Sequence, residues 1–223
     1  MIKRLSEEYI SQVARGQINR DPEYFLSCMG VPFIEKVILK SFILFDDAFS
    51  YVYIIDGNVV GYVSGVRTDK FYRFIIKKNF FLCLFYGARS VFKKPRLILD
   101  IFSLLKFLFL KHPRSDIKAE MFSWWVLPEY RVNSDFYKIH KIKIGKELWL
   151  QANNHFKKCG IKHYRLITPA NNIQSNRFYR RIGYEYVGSI KLFGEEKFFY
   201  IGDVDKSDQI LCSSTEKVDT TKN

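Results

Sequence analysis

The run "HKIKIGKELW", residues 140–149, is where this chain could hold a phosphate group. A helix beginning near Ile144 presents unpaired backbone N–H groups and the positive end of its dipole to an anion. Lys141, Lys143 and Lys146 would add charge to that cradle. Only one glycine, Gly145, is present, and the same residues also fit a solvated lysine face leading into a plain amphipathic helix. Downstream, "NNIQSNRFYRRIG" opens on Asn172, a residue type that caps helix N-termini, and carries the adjacent aromatics Phe178 and Tyr179. Upstream, "AEMFSWWVL", residues 119–127, reads as a strand carrying Glu120 near its start, a carboxylate that could accept a proton. On unbroken alternation, Glu120, Phe122, Trp124 and Val126 share one strand face.

Composition narrows the classes. The chain has 223 residues, 48% hydrophobic and 26% charged, which predicts one packed domain with decorations. Cys28, Cys83, Cys159 and Cys212 are never spaced as C-x-x-C, so no metal or redox signature is present, and a reducing, cytoplasmic setting is expected. The N-terminus has no continuous apolar run of the signal-peptide kind. The most apolar stretch, residues 97–110, is interrupted by Asp100 and Lys106. It falls short of the ~20 apolar residues a membrane span needs. The net charge of +13 is concentrated. Residues 70–118 hold twelve Lys or Arg against Asp100 and Asp116, a net +10 that suits an anionic small molecule, a nucleic acid or a membrane surface.

The elements that must position these residues can be read from periodicity. Ser6-Glu7-Glu8 starts a helix running to about Gln17, and Asp21-Pro22-Glu23 starts another. "FIEKVILKSFIL" continues a helical layer. From residue 49, two β-rich runs flank Asp56-Gly57-Asn58, a hairpin signal. Two or three basic, aromatic helices follow, punctuated by Pro95 and Pro113. Then come a strand at 119–127, a loop at 129–143, a helix from Ile144, the strand "HYRLITP", a helix closed by Gly183, and a hairpin turning near Gly194-Glu195. From Lys206 onward the composition predicts a disordered tail.

Three of these stretches together resemble the GNAT acyltransferase superfamily. "WWVLPEYR" resembles its fourth strand and V-x-P-x-x-R exit, and "IGKELW" the loop and helix that follow. "NNIQSNRFYRRIGYEYVG" is similar to its N-x-x-(A/S)-x-x-(F/L)-Y-x-x-x-G-(F/Y) run, with Asn172, Ser175, Phe178, Tyr179, Gly183 and Tyr184 at the matching positions. The resemblance spans roughly residues 49–203. It implies an α/β (α+β) fold: a central mixed, mostly antiparallel sheet flanked by helices, with residues 70–118 as a helical insertion between strands 3 and 4. It predicts a single domain over 1–205 and a tail over 206–223. Two departures stand out. Lys143 replaces the first glycine of the family's R/Q-x-x-G-x-(G/A) loop, and about nine residues are inserted before it, so Arg131 and His140 compete for the usual Arg position.

The resemblance also implies chemistry: acetyl-CoA donates its acetyl group directly to a primary amine, without a metal. Tyr179 would protonate the leaving thiolate, and Glu120 would act as general base, directly or through water, with His140 as an alternative. Val126 and Leu127 would pair with the pantetheine arm. Lys141, Lys143, Ile144, Gly145, Lys146, Asn172 and Ser175 would contact the remainder of coenzyme A. Trp124 and Phe122 would line the acceptor pocket. A basic cover over that pocket favours an anionic acceptor, such as a nucleotide-linked amino sugar, over a polyamine. Nucleic acid is not the expected partner, whereas peripheral membrane contact is compatible with the insertion. The rival expectation is a catalytically weak module that binds a membrane surface or nucleic acid through the insertion.

Overall fold

The computed structural model describes residues 1–109 and 114–219; Pro113 and the last four positions of the expected tail lie outside them. Strand β1 (Ile2–Arg4) precedes a short 3-10 turn, Glu7–Tyr9, that leads into α1 (Ile10–Arg20). The helix extends one turn past the expected end at Gln17 and carries Arg20 inward. The helix expected from Pro22 is only α2 (Phe25–Cys28). Then α3 (Val31–Phe33), a π-helical stretch Ile34–Leu39 and α4 (Lys40–Leu44) form one continuous segment. The hairpin is β2 (Ala48–Ile55) and β3 (Asn58–Val66), turning at Asp56-Gly57 as its sequence predicts.

The insertion is three helices: α5 (Lys70–Lys78), α6 (Phe80–Lys93) and α7 (Leu97–Phe109). Strand β4 (Glu120–Val126) follows. The stretch expected as a loop, 129–143, contains α8 (Asp135–His140), capped by Ser134, which accepts from the Tyr137 N–H at 3.2 Å. The remaining elements are α9 (Ile144–Lys158), β5 (His163–Pro169), α10 (Ile173–Arg181), β6 (Glu185–Leu192), β7 (Glu195–Asp203) and α11 (Val204–Asp219). The last of these corrects the expected disordered tail through residue 219. Val204 and Leu211 are buried at helical spacing, and Asn153 of α9 donates to Ser207 at 2.9 Å and Asp208 at 2.6 Å. A polar composition hid an amphipathic helix tied down by a buried hydrogen-bond network.

The sheet order is β1-β2-β3-β4-β5-β7-β6, and only β4 and β5 run parallel. It is the mixed, mostly antiparallel sheet expected. One face packs on α9 and α11 through Leu148, Trp149, Phe156, Tyr164 and Tyr200. The other packs on α1–α4 through Val13, Leu39, Val52 and Trp125. The insertion closes over this second face. Phe71, Ile75 and Tyr86 bury against Phe33, Val37 and Phe42, and Phe107 of α7 buries against Leu192 and Phe199. It therefore bridges the N-terminal helices and the β6–β7 hairpin, roofing the middle of the sheet.

Candidate active site

The middle of the sheet opens because β4 and β5 pair only at Glu120↔Arg165 and Met121↔Leu166. Beyond Met121 the strands part. A β-bulge at the same place controls which groups face the gap: Ser64 pairs with Ser123 and Gly65 with Met121, so Phe122 is the extra residue. A bulge shifts the side-chain alternation by one. The shared face expected for Glu120, Phe122, Trp124 and Val126 is therefore split. Glu120 and Phe122 face the insertion, whereas Trp124 and Val126 face α9.

The bulge also sets the backbone. Leu127 N–H donates to Val60 at 2.9 Å, so the antiparallel alternation turns the carbonyls of Trp124 and Val126 to the gap. Arg20 donates to the Trp124 carbonyl at 3.3 Å, and Arg131 Nε to the Val126 carbonyl at 2.9 Å. Both caps are side chains, so the amide N–H groups of a ligand laid along this edge can replace them. The Val126 carbonyl thus faces the gap. The Leu127 N–H serves β3 and its carbonyl accepts from Tyr130 N–H at 3.0 Å, so neither is turned to the gap. Arg131, rather than His140, reaches the gap; His140 is exposed and its ring rests on Phe136 at 4.5 Å.

At the end of this gap stands the N-terminus of α9. No side chain caps it, and Lys143 has φ −96°, so a Cβ at 143 is accommodated without strain. The left-handed residue just before it is Lys141, at φ 58°. Gly145 makes a close approach: a Cβ there would lie 3.2 Å from the Trp124 ring, whose Nε1 donates to the Gly145 carbonyl at 3.1 Å. The small residue lets the helix end close onto β4. Lys143, Ile144, Gly145 and Lys146 all line the cavity. Lys146 also donates to the Leu211 carbonyl at 2.8 Å, and the Lys141 ammonium lies over the Tyr137 ring at 5.8 Å, outside the cavity.

Helix α10 completes this side. Asn172 is a true N-cap, accepting from Ser175 N–H at 3.1 Å. The neighbouring Asn176 was not singled out from the sequence. Its amide donates to the carbonyls of Pro169, Ala170 and Asn172 and accepts from Tyr200 at 3.0 Å, fixing the β5–α10 turn. Phe178 stacks on Trp124 with ring centroids 5.2 Å apart. Tyr179 lies deeper, packed on Tyr184, Tyr200 and Trp149. Burial pushes its phenol up to about 12, with Ser175 and Arg20 pulling in the opposite direction. It therefore keeps its proton at neutral pH.

One connected cavity of about 2080 Å³ runs from the α9 end, past Tyr179, into a chamber under the insertion. Tyr24, Tyr72, Glu120, Phe122 and Lys197 line that chamber. Glu120 is buried: Oε1 accepts from Tyr72 Oη at 2.8 Å, and Oε2 meets Arg165 at 3.0 Å. Oε2 is held by both Nε and Nη2 of Arg165, whereas Oε1 keeps a second lone pair for an incoming N–H or water. Sequence reasoning missed the chamber's cations. Lys197 is buried beside Glu195 and lies 5.8 Å from the Tyr24 ring. Arg20 is half-buried, and desolvation lowers its pKa. A lysine in period-two register with buried Phe199 and Ile201 was the signal that could have found Lys197. The cations of the insertion, by contrast, face solvent: Lys77, Lys78, Arg89, Lys93 and Arg96 are all exposed. The expected basic roof is a solvated outer surface, and the positive charge lining the chamber comes from Arg20 of α1 and Lys197 of β7.

The chain is similar to known proteins in family and in fold. The model of the Acetyltransferase (GNAT) family matches residues 21–184. No curated protein sequence matches the chain significantly. Among solved structures, a ribosomal-protein-alanine N-acetyltransferase from Brucella melitensis superposes with TM-score 0.55 at 14% identity, covering 91% of this chain and 99% of that one. An N-acetyltransferase from Staphylococcus aureus Mu50 gives 0.56 at 12% identity, covering 92% and 98%. A spermidine N-acetyltransferase from Vibrio cholerae gives 0.53 at 11% identity, covering 93% and 96%. At these identities the likeness is one of fold. The family match covers most of the chain, and the chain belongs to the GNAT acetyltransferase family. It is an acetyl-CoA-dependent N-acetyltransferase.

Proposed function

We propose that the chain transfers an acetyl group from acetyl-CoA directly to the primary amine of a small anionic acceptor, of the class of nucleotide-linked amino sugars. The observation that carries this reading is the set of cations at the chamber. Lys197 lines it, buried beside Glu195, Arg165 is buried behind it on Glu120, and Arg20, also in its lining, has no carboxylate within 4 Å among the described residues. Like charges repel, so a polyamine would meet an unfavourable field, whereas phosphate or carboxylate groups would be drawn in.

Acetyl-CoA supplies an activated acyl group on a thiol leaving group. The residues that fit it are the uncapped end of α9 for the pyrophosphate and the Trp124 and Val126 carbonyls for the pantetheine amides. Tyr179 holds a proton at Oη on the α9 side of the gap. On the other side, Glu120 accepts the amine proton, directly or through water, while Tyr72 and Arg165 keep its carboxylate oriented. Trp124 and Phe178 form the aromatic wall beside the gap, and Phe122 lies on the chamber floor.

The test is a thiol-release assay against paired amines. Nucleotide-linked amino sugars or acidic amines should show kcat/KM at least about tenfold above that of spermidine. Lys197→Met should raise their KM and leave that of neutral amines unchanged. Preference for the polyamine would refute the acceptor class.

A further inference from the structure

The insertion presents an outer surface that the transfer reaction does not use. Most of the large hydrophobic side chains that are exposed anywhere in the described chain lie between residues 76 and 105. On α6 the inward positions Cys83, Tyr86, Gly87 and Ser90 face the body. Its outward positions Phe81, Leu84, Phe85 and Phe92 fall at i, i+3, i+4 and i+11, one stripe of the helix, and Phe81 and Phe92 are 80% and 89% exposed. α7 follows after three residues and repeats the arrangement. Leu97, Ile101 and Leu104 point inward, while Ile98, Leu99 and Phe102 are exposed. A water-facing helix normally carries polar residues at such positions. Here the outward stripes are phenylalanine and leucine.

The charge around these stripes has one sign. Between Lys70 and Phe109 there are nine Lys or Arg and one acid, Asp100. Lys77, Lys78, Arg89, Lys93, Arg96 and Lys106 are all exposed around the two helices. Helices of 14 and 13 residues are too short to cross a bilayer, which needs about 20. Among the described residues no helix is long and apolar enough to cross a membrane. A short helix with an exposed apolar stripe and flanking cations has the chemistry of one that lies in a lipid interface. A nucleic acid would satisfy the cations but leave the phenylalanines in water.

We propose that α6 and α7 form a docking face for an anionic lipid bilayer, with Phe81, Phe85, Leu99 and Phe102 entering the acyl boundary and the surrounding cations meeting the headgroups. The face is continuous with the site. The apolar wall of the chamber runs out along the insertion through Leu84, Val91 and Leu104, so the docked enzyme opens one end of its cavity toward the membrane. The docking rests on the fold and on this surface, and not on the transfer reaction.

The experiment is sedimentation of the full-length protein with vesicles of phosphatidylcholine alone or of phosphatidylcholine carrying phosphatidylserine, with no acetyl-CoA present. The protein should pellet with the anionic vesicles, remain in solution with the neutral ones, and be released by salt. Phe81→Asp combined with Phe102→Asp should weaken vesicle binding at least about tenfold, with melting temperature and vesicle-free thiol release unchanged. These side chains are exposed, and neither lines the cavity. Absence of binding to anionic vesicles, or equal binding by the double variant, would overturn the proposal. So would a dimer, or a complex with duplex DNA, that the same two substitutions abolish. Vesicle binding by a protein that releases no thiol would leave the docking intact and remove the enzymatic reading instead.

Discussion

Tyr179→Phe should lower turnover by about 100-fold or more while leaving acetyl-CoA affinity within about twofold. The substitution removes one hydroxyl from a ring held on several sides by Trp149, Tyr184 and Tyr200, so the packing is retained. Burial pushes the wild-type phenol up to about 12, and the proton is therefore present throughout the neutral range. The loss should accordingly be nearly constant between about pH 6 and pH 9, where a group titrating in that window would give a sloping difference. Steady-state thiol release, paired with calorimetric acetyl-CoA titration, reads both quantities. Unchanged turnover would remove Tyr179 from the chemistry and leave it as core.

The second large effect is on stability. Arg165→Ala leaves Glu120 as a buried carboxylate with Tyr72 as its remaining side-chain partner. Breaking a buried pair in this way costs about 3–5 kcal/mol. For a chain of this size the melting temperature should then fall by roughly 6–20 °C. Replacing both partners, Glu120→Met with Arg165→Met, should recover most of that loss, because no buried charge is left unpaired. Activity should not recover, since the carboxylate is gone. Thermal melts and thiol release on the same three proteins separate the structural part of the ion pair from its chemical part. An Arg165→Ala protein that melts like the wild type would mean the pair is solvated.

Local signals in the chain predicted much of this arrangement. The Asp56-Gly57 hairpin, the strand–helix–strand unit around α9 and the Asn172 cap all depend on contacts within a few residues, and they are where periodicity and turn chemistry place them. The features that were not legible depend on pairing between distant segments. The bulge at Phe122 exists only against β3, and it reversed the faces of Trp124 and Val126 relative to Glu120. Arg20 is an ordinary residue at the end of a helix until one extra turn of α1 brings it to the Trp124 carbonyl, 104 residues away. Helix α11 reads as a polar tail because its anchors, Ser207 and Asp208, are polar themselves and find their partner on α9. The insertion's charge was visible, but its direction was not. Only the packed structure shows that its lysines face out while Tyr72 and Phe107 face in.

Acetyl-CoA should lie between the parted strands β4 and β5, with its pyrophosphate on the N-terminus of α9. The decisive measurement is calorimetric titration of acetyl-CoA into the wild type and into Gly145→Leu, because even a Cβ at 145 would lie 3.2 Å from the Trp124 ring and the longer leucine should crowd the helix end against β4. One molecule should bind per wild-type chain, and the variant should bind at least about tenfold more weakly while still melting cooperatively. Equal affinity in the two proteins would place the cofactor elsewhere, and no binding to the wild type would remove it.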